Sequence, residues 1–241
     1  MKANSNKECN IKPVPSKNVI KEYEAGAYYH IYNRGVEKRI IFLDEQDYKT
    51  FLSYLKFYLT SQDPQLQADL QGVSLKVLRP ISPSRKSKNY LNEIELLAYC
   101  LMPNHFHLLV HQNSETSINY FMRSLSTKYV RYFNTKYKRV GHLFQDTYKA
   151  VKIETENQWI HLSKYIHRNP LDLPTFKESP CSLSEYKYSS YRNYLGNFHQ
   201  SWVNTSEIIS NFGHNKNNSY QSFVQEPIDI TPIYFTALDY D

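Results

Sequence analysis

Two apolar runs separated by only two residues constrain this chain more than any other feature. IELLAYCLM, from Ile94 to Met102, and HFHLLVH, from His105 to His111, are broken only by Pro103-Asn104. Runs joined this tightly predict an antiparallel pair. The near-continuous apolar character of the second predicts a central strand, covered on both faces. Other segments supply partners. Ala27 to Tyr32 is rich in β-formers and ends at the turn signal Asn33-Arg34-Gly35. Asp44 can cap a helix carrying Tyr48, Phe51, Leu52, Leu55 and Tyr58 at helical spacing. A long amphipathic helix is predicted from about Glu115 to Tyr137, with Ile118, Phe121, Met122, Leu125, Tyr129 and Phe133 on its apolar face. Tyr148 to Ile153 reads as a strand, and Glu156 to Arg168 as a helix stopped by Asn169-Pro170. The first six elements, strand-helix-strand-strand-helix-strand, predict an α+β fold: a ferredoxin-like split βαβ antiparallel sheet with helices on one face.

Periodicity fails at both ends and in one internal stretch. Residues 1–22 read as a flexible N-terminal arm. Residues 61–92 read as a basic insertion containing Lys76, Arg79, Arg85, Lys86 and Lys88; a solvated linker and a DNA-contacting loop are both compatible with it. The catalytic domain is expected over 23–171, and a small helical appendage with a tail over 172–241.

The chemistry-bearing residues begin with His105-Phe106-His107. In a strand, residues two apart share a face, so both imidazoles project together while Phe106 enters the opposite layer. Such a pair is half of a divalent-metal site, although a lone His-x-His is more often structural. Tyr165 and Asn169, four residues apart, share one face of their helix, with Trp159, Leu162 and Ile166 mainly on the other. The Asn169 carbonyl can serve as a third ligand, with Tyr165 beside it as a nucleophile. A phenol of pKa ~10 needs such a cation nearby to attack a phosphate. The plainer reading of Tyr165 is a packed aromatic. His161, one turn earlier, can face the same site, and His111 reads as a surface histidine at its strand's end.

The segment Thr116 to Phe144 contains no acidic residue. It carries Arg123, Lys128, Arg131, Lys136, Lys138 and Arg139, interleaved with Tyr129, Tyr132, Phe133 and Tyr137. Cations for phosphates and rings for bases suit a single-stranded nucleic acid. A helix with an apolar buried face and a charged solvated face gives the same pattern, and the two are compatible. A net charge of +6 and 22 tyrosines point the same way, more weakly.

Cys9, Cys100 and Cys181 have no zinc-ligand spacing, and their odd number argues against a disulfide framework, so a reducing cytoplasmic compartment is expected. The polar N-terminus lacks an apolar signal core, and no apolar run approaches the ~18 residues of a membrane span.

Taken in order, YHIYNRG, LMPNHFHLLV, YFNTKYKRVGHLFQDTYKA and KYIHRNPL closely resemble the REP-associated tyrosine transposases, within the single-tyrosine HUH transposases. YKYSSYRNYLG and SWVNTSEIISNF resemble that group's C-terminal part. The resemblance implies the HUH endonuclease fold, with His105 and His107 as ligands of Mg²⁺ or Mn²⁺. It implies Asn169 as a polar ligand and Tyr165 as the nucleophile. The implied reaction cuts and rejoins single-stranded or hairpin DNA at palindromic repeats through a 5′-phosphotyrosine, leaving a free 3′-hydroxyl. Gly26-Ala27-Tyr28 matches a Gly-x-aromatic segment that reads bases beside the hairpin, and Arg34 at the end of the first strand joins the DNA-binding set. Both a monomer and a homodimer fit. The alternatives are a domesticated structured-DNA-binding protein without turnover and a metal-dependent hydrolase using water.

Overall fold

A computed structural model describes residues 23–61, 88–178, 183–213, 215 and 218–227. The expected N-terminal arm, most of the basic insertion, Cys9, Cys181 and the last residues of the chain lie outside them.

Four strands form one antiparallel sheet: β1 (Tyr28–Arg34), β2 (Ile94–Met102), β3 (His105–Gln112) and β4 (Lys149–Ile153). Their order is β2-β3-β1-β4, with β1 antiparallel to both β3 and β4. Helix α1 (Glu45–Leu59) follows β1, and α2 (Ser117–Lys136) follows β3. Each helix thus links two strands that flank a third, which is the split βαβ arrangement of a ferredoxin-like fold. The two helices pack side by side on one face of the sheet. There Phe51 and Leu55 of α1 meet Phe121, Leu125 and Tyr129 of α2 over Phe106, Leu108 and Val110 of β3.

A buried polar cluster fastens the start of α1 to the end of α2. Asp44 and Asp47 form a capping box. The fully buried Asp47 carboxylate also accepts from Leu43 N, Tyr132 Oη and Tyr137 Oη, and pairs with Lys136 Nζ at 2.7 Å. Its lone pairs are satisfied, which is the condition for burying a carboxylate without a large penalty.

The opposite face carries the histidines and is covered by α3 (Glu156–Arg168) together with C-terminal segments. Trp159, Leu162 and Ile166 of α3 pack onto Leu109 and Ile153. The irregularity between Leu96 and Ala98 in β2 sets Ala98, Cys100 and Met102 on this same face. Past α3, among the described residues, come four short helices: α4 (Pro174–Glu178), α5 (Tyr191–Tyr194), α6 (Ser206–Ile209) and α7 (Tyr220–Gln225). Tyr191, Tyr194, Ile208, Tyr220 and Val224 bury against α3 and β2, in one core with them.

One boundary differs from the sequence expectation. The first strand continues through Asn33 and Arg34, where a turn is predicted. Asn33 Nδ2 donates to the carbonyls of Asp146 and Thr147, holding the strand end against the chain that leads into β4. The bend comes at Gly35, where an added Cβ would lie 2.2 Å from Arg39 O. Among the described residues no helix is long and apolar enough to cross a membrane.

Candidate active site

The register of the sheet assembles the site. On the histidine face, His105 of β3 lies opposite Arg34 of β1, and His107 opposite Tyr32; Lys149 of β4 lies opposite Tyr32 on its other side. The His105 and His107 ring centroids are 5.0 Å apart. Phe106 points to the other layer and is fully buried against Phe51 and Phe144, as alternation demands.

The last turns of α3 deliver the phenol. A Thr155–Gln158 capping box starts the helix, and its Trp159, Leu162, Ile166 stripe docks it on the sheet. Tyr165 then stands edge-on to His107, with centroids 5.6 Å apart. Asn169 caps the helix end. Its Nδ2 donates to Tyr165 O at 3.0 Å, so the Oδ1 end faces His105 Nε2 at 3.4 Å. The four residues expected to form the site therefore converge within one chain.

Hydrogen bonding fixes which nitrogens face outward. His105 Nδ1 lies 2.7 Å from Asn104 Oδ1, which can only accept, so Nδ1 carries the ring proton. The Nε2 lone pair of His105 is thereby turned toward Asn169 Oδ1, another acceptor. In the neutral form of His105 two acceptors converge there and make a cradle for a cation. Burial pushes His107 well below the usual imidazole range, and the nearby His105, His30 and Arg34 push in the same direction. His107 is therefore the neutral imidazole that metal ligation requires. Among the described residues no three His, Cys, Asp or Glu side chains gather into a metal cluster. The donor set is two imidazoles and an amide oxygen, and it fits a divalent ion that takes its remaining ligands from phosphate oxygens or water.

One member of the site was missed from sequence. His30 of β1 is fully buried, with Nε2 2.9 Å from His107 Nδ1 and its ring edge-on to Tyr165 at 6.4 Å. Strand parity carried the signal: with Tyr29 and Ile31 in the α1/α2 core, His30 and Tyr32 face the other layer. Nothing local shows that β1 lies beside β3.

The DNA-binding candidates separate in space. Arg34 is half-buried on the histidine face, opposite His105. Tyr28 lies at the far end of the same face, between Trp159 and His111, and its hydroxyl donates to Glu207 at 2.8 Å. Base reading by Tyr28 would have to break that packing. Arg123 and Arg131 are exposed on α2, across the sheet from the histidines, lining a groove of about 880 Å³ with Tyr120 and His142. This groove holds none of the four converging residues; a cleft of about 140 Å³ is lined by Tyr165, Arg168, Asn169, Leu171 and Asp172, with neither histidine on its wall. Donor geometry and not volume marks the candidate site, where His105, His107, Tyr165 and Asn169 approach one another. Lys128 lies over the rings of Tyr54 and Phe57, at 4.7 and 4.1 Å. Arg139 bonds Asn134 Oδ1, and Lys138 is exposed with a positive φ of 51°. Tyr129, Tyr132 and Phe133 are buried, so these rings of the stripe are core and not a stacking platform. His161 packs edge-on against Phe223, and His111 is half-buried 3.7 Å from Glu95.

No curated protein matches the chain. A solved structure described as "Structure of the REP associates tyrosine transposase bound to a REP hairpin" is similar over 78% of this chain and 97% of that one, at 13% identity and a TM-score of 0.48. Residues 84–169, which hold β2, β3, α2, β4 and α3, match the family model described as "Transposase IS200 like", and this part of the chain, with both histidines, Tyr165 and Asn169, is similar to that family.

Proposed function

We propose that the chain is a metal-dependent transposase that cleaves and rejoins single-stranded or hairpin DNA through Tyr165. The observation that carries the reading is the convergence of the Tyr165 ring, the His105 and His107 imidazoles and the Asn169 carbonyl. A divalent ion held by His105, His107 and Asn169 would supply Lewis-acid polarisation of the scissile phosphate. The imidazole pair favours Mn²⁺ over Mg²⁺. Tyr165 Oη forms the new bond to phosphorus as the bond from phosphorus to the 3′-oxygen breaks. The phenol's proton passes to that leaving oxygen, directly or through solvent. The products are a 5′-phosphotyrosine and a 3′-hydroxyl, and attack by another 3′-hydroxyl reverses the step. Arg34, opposite His105 in the sheet, would hold a phosphate oxygen, while Arg123 and Arg131 would meet a more distant part of the strand. Tyr165 comes from the same chain as the histidines, so the reading needs no second subunit.

The test uses a pool of single strands with randomised hairpins and flanks, incubated with the protein and Mn²⁺. Covalent protein–DNA species are recovered after denaturation. Wild type should give an adduct that EDTA prevents. Tyr165→Phe should give none while retaining DNA binding. Equal adduct from Tyr165→Phe would refute the assignment, and cutting without any adduct would point to hydrolysis by water.

A further inference from the structure

We propose that His30 is a positioning residue that holds His107 in the tautomer presenting Nε2 to the metal. The inference rests on the metal reading above and adds a residue to it.

The register puts His30 in a row of the sheet whose neighbours are apolar: Leu109 on β3, paired in turn with Ala98 of β2, and Val151 on β4. A fully buried imidazole in such a row costs free energy that an aliphatic residue would avoid. What His30 gains there is a diagonal contact. Its Nε2 lies 2.9 Å from His107 Nδ1, and the two rings meet edge to edge, nearly coplanar, with centroids 5.1 Å apart and planes 17° from parallel. Between two imidazoles, one nitrogen donates and the other accepts. If His107 Nδ1 donates, His107 Nε2 is left as a lone pair on the side of His105 and Tyr165. If His30 donates instead, His107 Nε2 carries the proton and cannot ligate. The first arrangement matches His105, whose Nδ1 is committed in the same way to Asn104 Oδ1. Each ligand histidine thus has its inner nitrogen engaged by a fixed partner, the usual device for setting ring orientation and basicity at a metal centre. The same His30 ring meets Tyr165 edge-on, so one side chain sets the relation of ligand to nucleophile.

The test reads metal binding and tautomer, not turnover. Mn²⁺ affinity is measured by electron paramagnetic resonance for wild type, His30→Leu and His30→Gln. The glutamine supplies an acceptor oxygen in a similar volume; the leucine supplies none. Leucine should weaken Mn²⁺ about 10- to 100-fold, and glutamine should recover most of that loss. In metal-free wild type, the histidine ¹⁵N and ¹³C shifts should report His107 protonated at Nδ1. Equal Mn²⁺ affinity in the leucine variant would overturn the inference, as would His107 protonated at Nε2 in wild type. Failure of wild type to bind Mn²⁺ would instead remove the metal reading, and the His107 tautomer would still decide whether His30 orients it. Should the leucine variant not fold, the glutamine affinity and the wild-type tautomer carry the decision.

Discussion

Removing one hydroxyl from the C-terminal segment should loosen the helix that carries Tyr165. Tyr220 of α7 donates to Ser163 Oγ at 2.9 Å, and Ser163 Oγ donates to Ile160 O at 2.6 Å. The phenol's only proton is therefore committed, so His167 Nδ1, 2.7 Å away, must donate to it. That leaves His167 Nε2 to accept from Ser190 Oγ at 2.8 Å, the shorter of the two bonds open to that hydroxyl proton, the other being Tyr99 O at 3.3 Å; Ser190 Oγ in turn accepts from Tyr99 N at 2.9 Å. The directed chain joins α7, α3, α5's cap and the second strand, and its side chains are buried. Tyr220→Phe leaves the His167 N–H without an acceptor. Stranding a buried donor costs about 1–3 kcal/mol. Ser163 keeps its bond to Ile160 and loses only an incoming donor. His167 can lower the cost by shifting its proton to Nε2, toward Ser190 Oγ. We expect a loss of about 2 kcal/mol, seen as a lower urea midpoint at unchanged slope or as a fall in Tm of about 4–8 °C. Ser163→Ala should be non-additive with it, because the two share one bond. A loss below about 0.5 kcal/mol, the range of an ordinary surface change, would refute this account of the network.

Acid should act on the same network. Burial pulls His167 down to about 3 in the folded protein, against an ordinary value of 6.5. Its folded pKa is depressed, so the unfolded chain binds the extra proton first: the contribution is complete above pH 6.5 and is lost as pH falls toward 3. Metal-free protein should lose roughly 2 kcal/mol between pH 7 and 5 from this group, measured by urea titration at each pH; His167→Gln should flatten that slope. Lys136→Met leaves the buried Asp47 carboxylate with only its four neutral donors and should cost about 3 kcal/mol, read by chemical denaturation. If single strands run along the α2 groove, Arg123→Ala and Arg131→Ala should each reduce the steepness of log K against log salt by about 0.7, and should affect all sequences alike in a filter-binding titration.

The fold was legible where one periodicity covered a whole element. The apolar runs Ile94 to Met102 and His105 to His111 with their two-residue break, and the three-to-four spacing in α1, α2 and α3, place these elements within a few residues of their observed ends. Gly35 was read with its neighbours as a turn because Asn33-Arg34-Gly35 has turn composition. The strand continues because the Asn33 amide finds backbone carbonyls more than a hundred residues away, and no local pattern encodes that. The α2 stripe failed differently. Composition gave cations and rings on one helix, but not their directions. Lys128 lies on the rings of α1 and Tyr132 bonds Asp47, whereas only Arg123, Arg131 and Lys138 are exposed.

The site divides on the same principle. His105 with His107, and Tyr165 with Asn169, are pairs within single elements, so strand and helix geometry alone brings each pair to one face. Joining the two pairs took only the docking of α3 through its own apolar stripe. His30 belongs to neither element. Its relation to His107 exists because β1 is inserted between β3 and β4, a consequence of the split topology. The same strand order sets Arg34 opposite His105 and Lys149 opposite Tyr32. In this fold the first strand lies at the centre of the sheet, so its outward-facing residues are forced into the site. A polar residue buried there must find partners on neighbouring elements, and in this chain His30 finds one in His107, a proposed metal ligand.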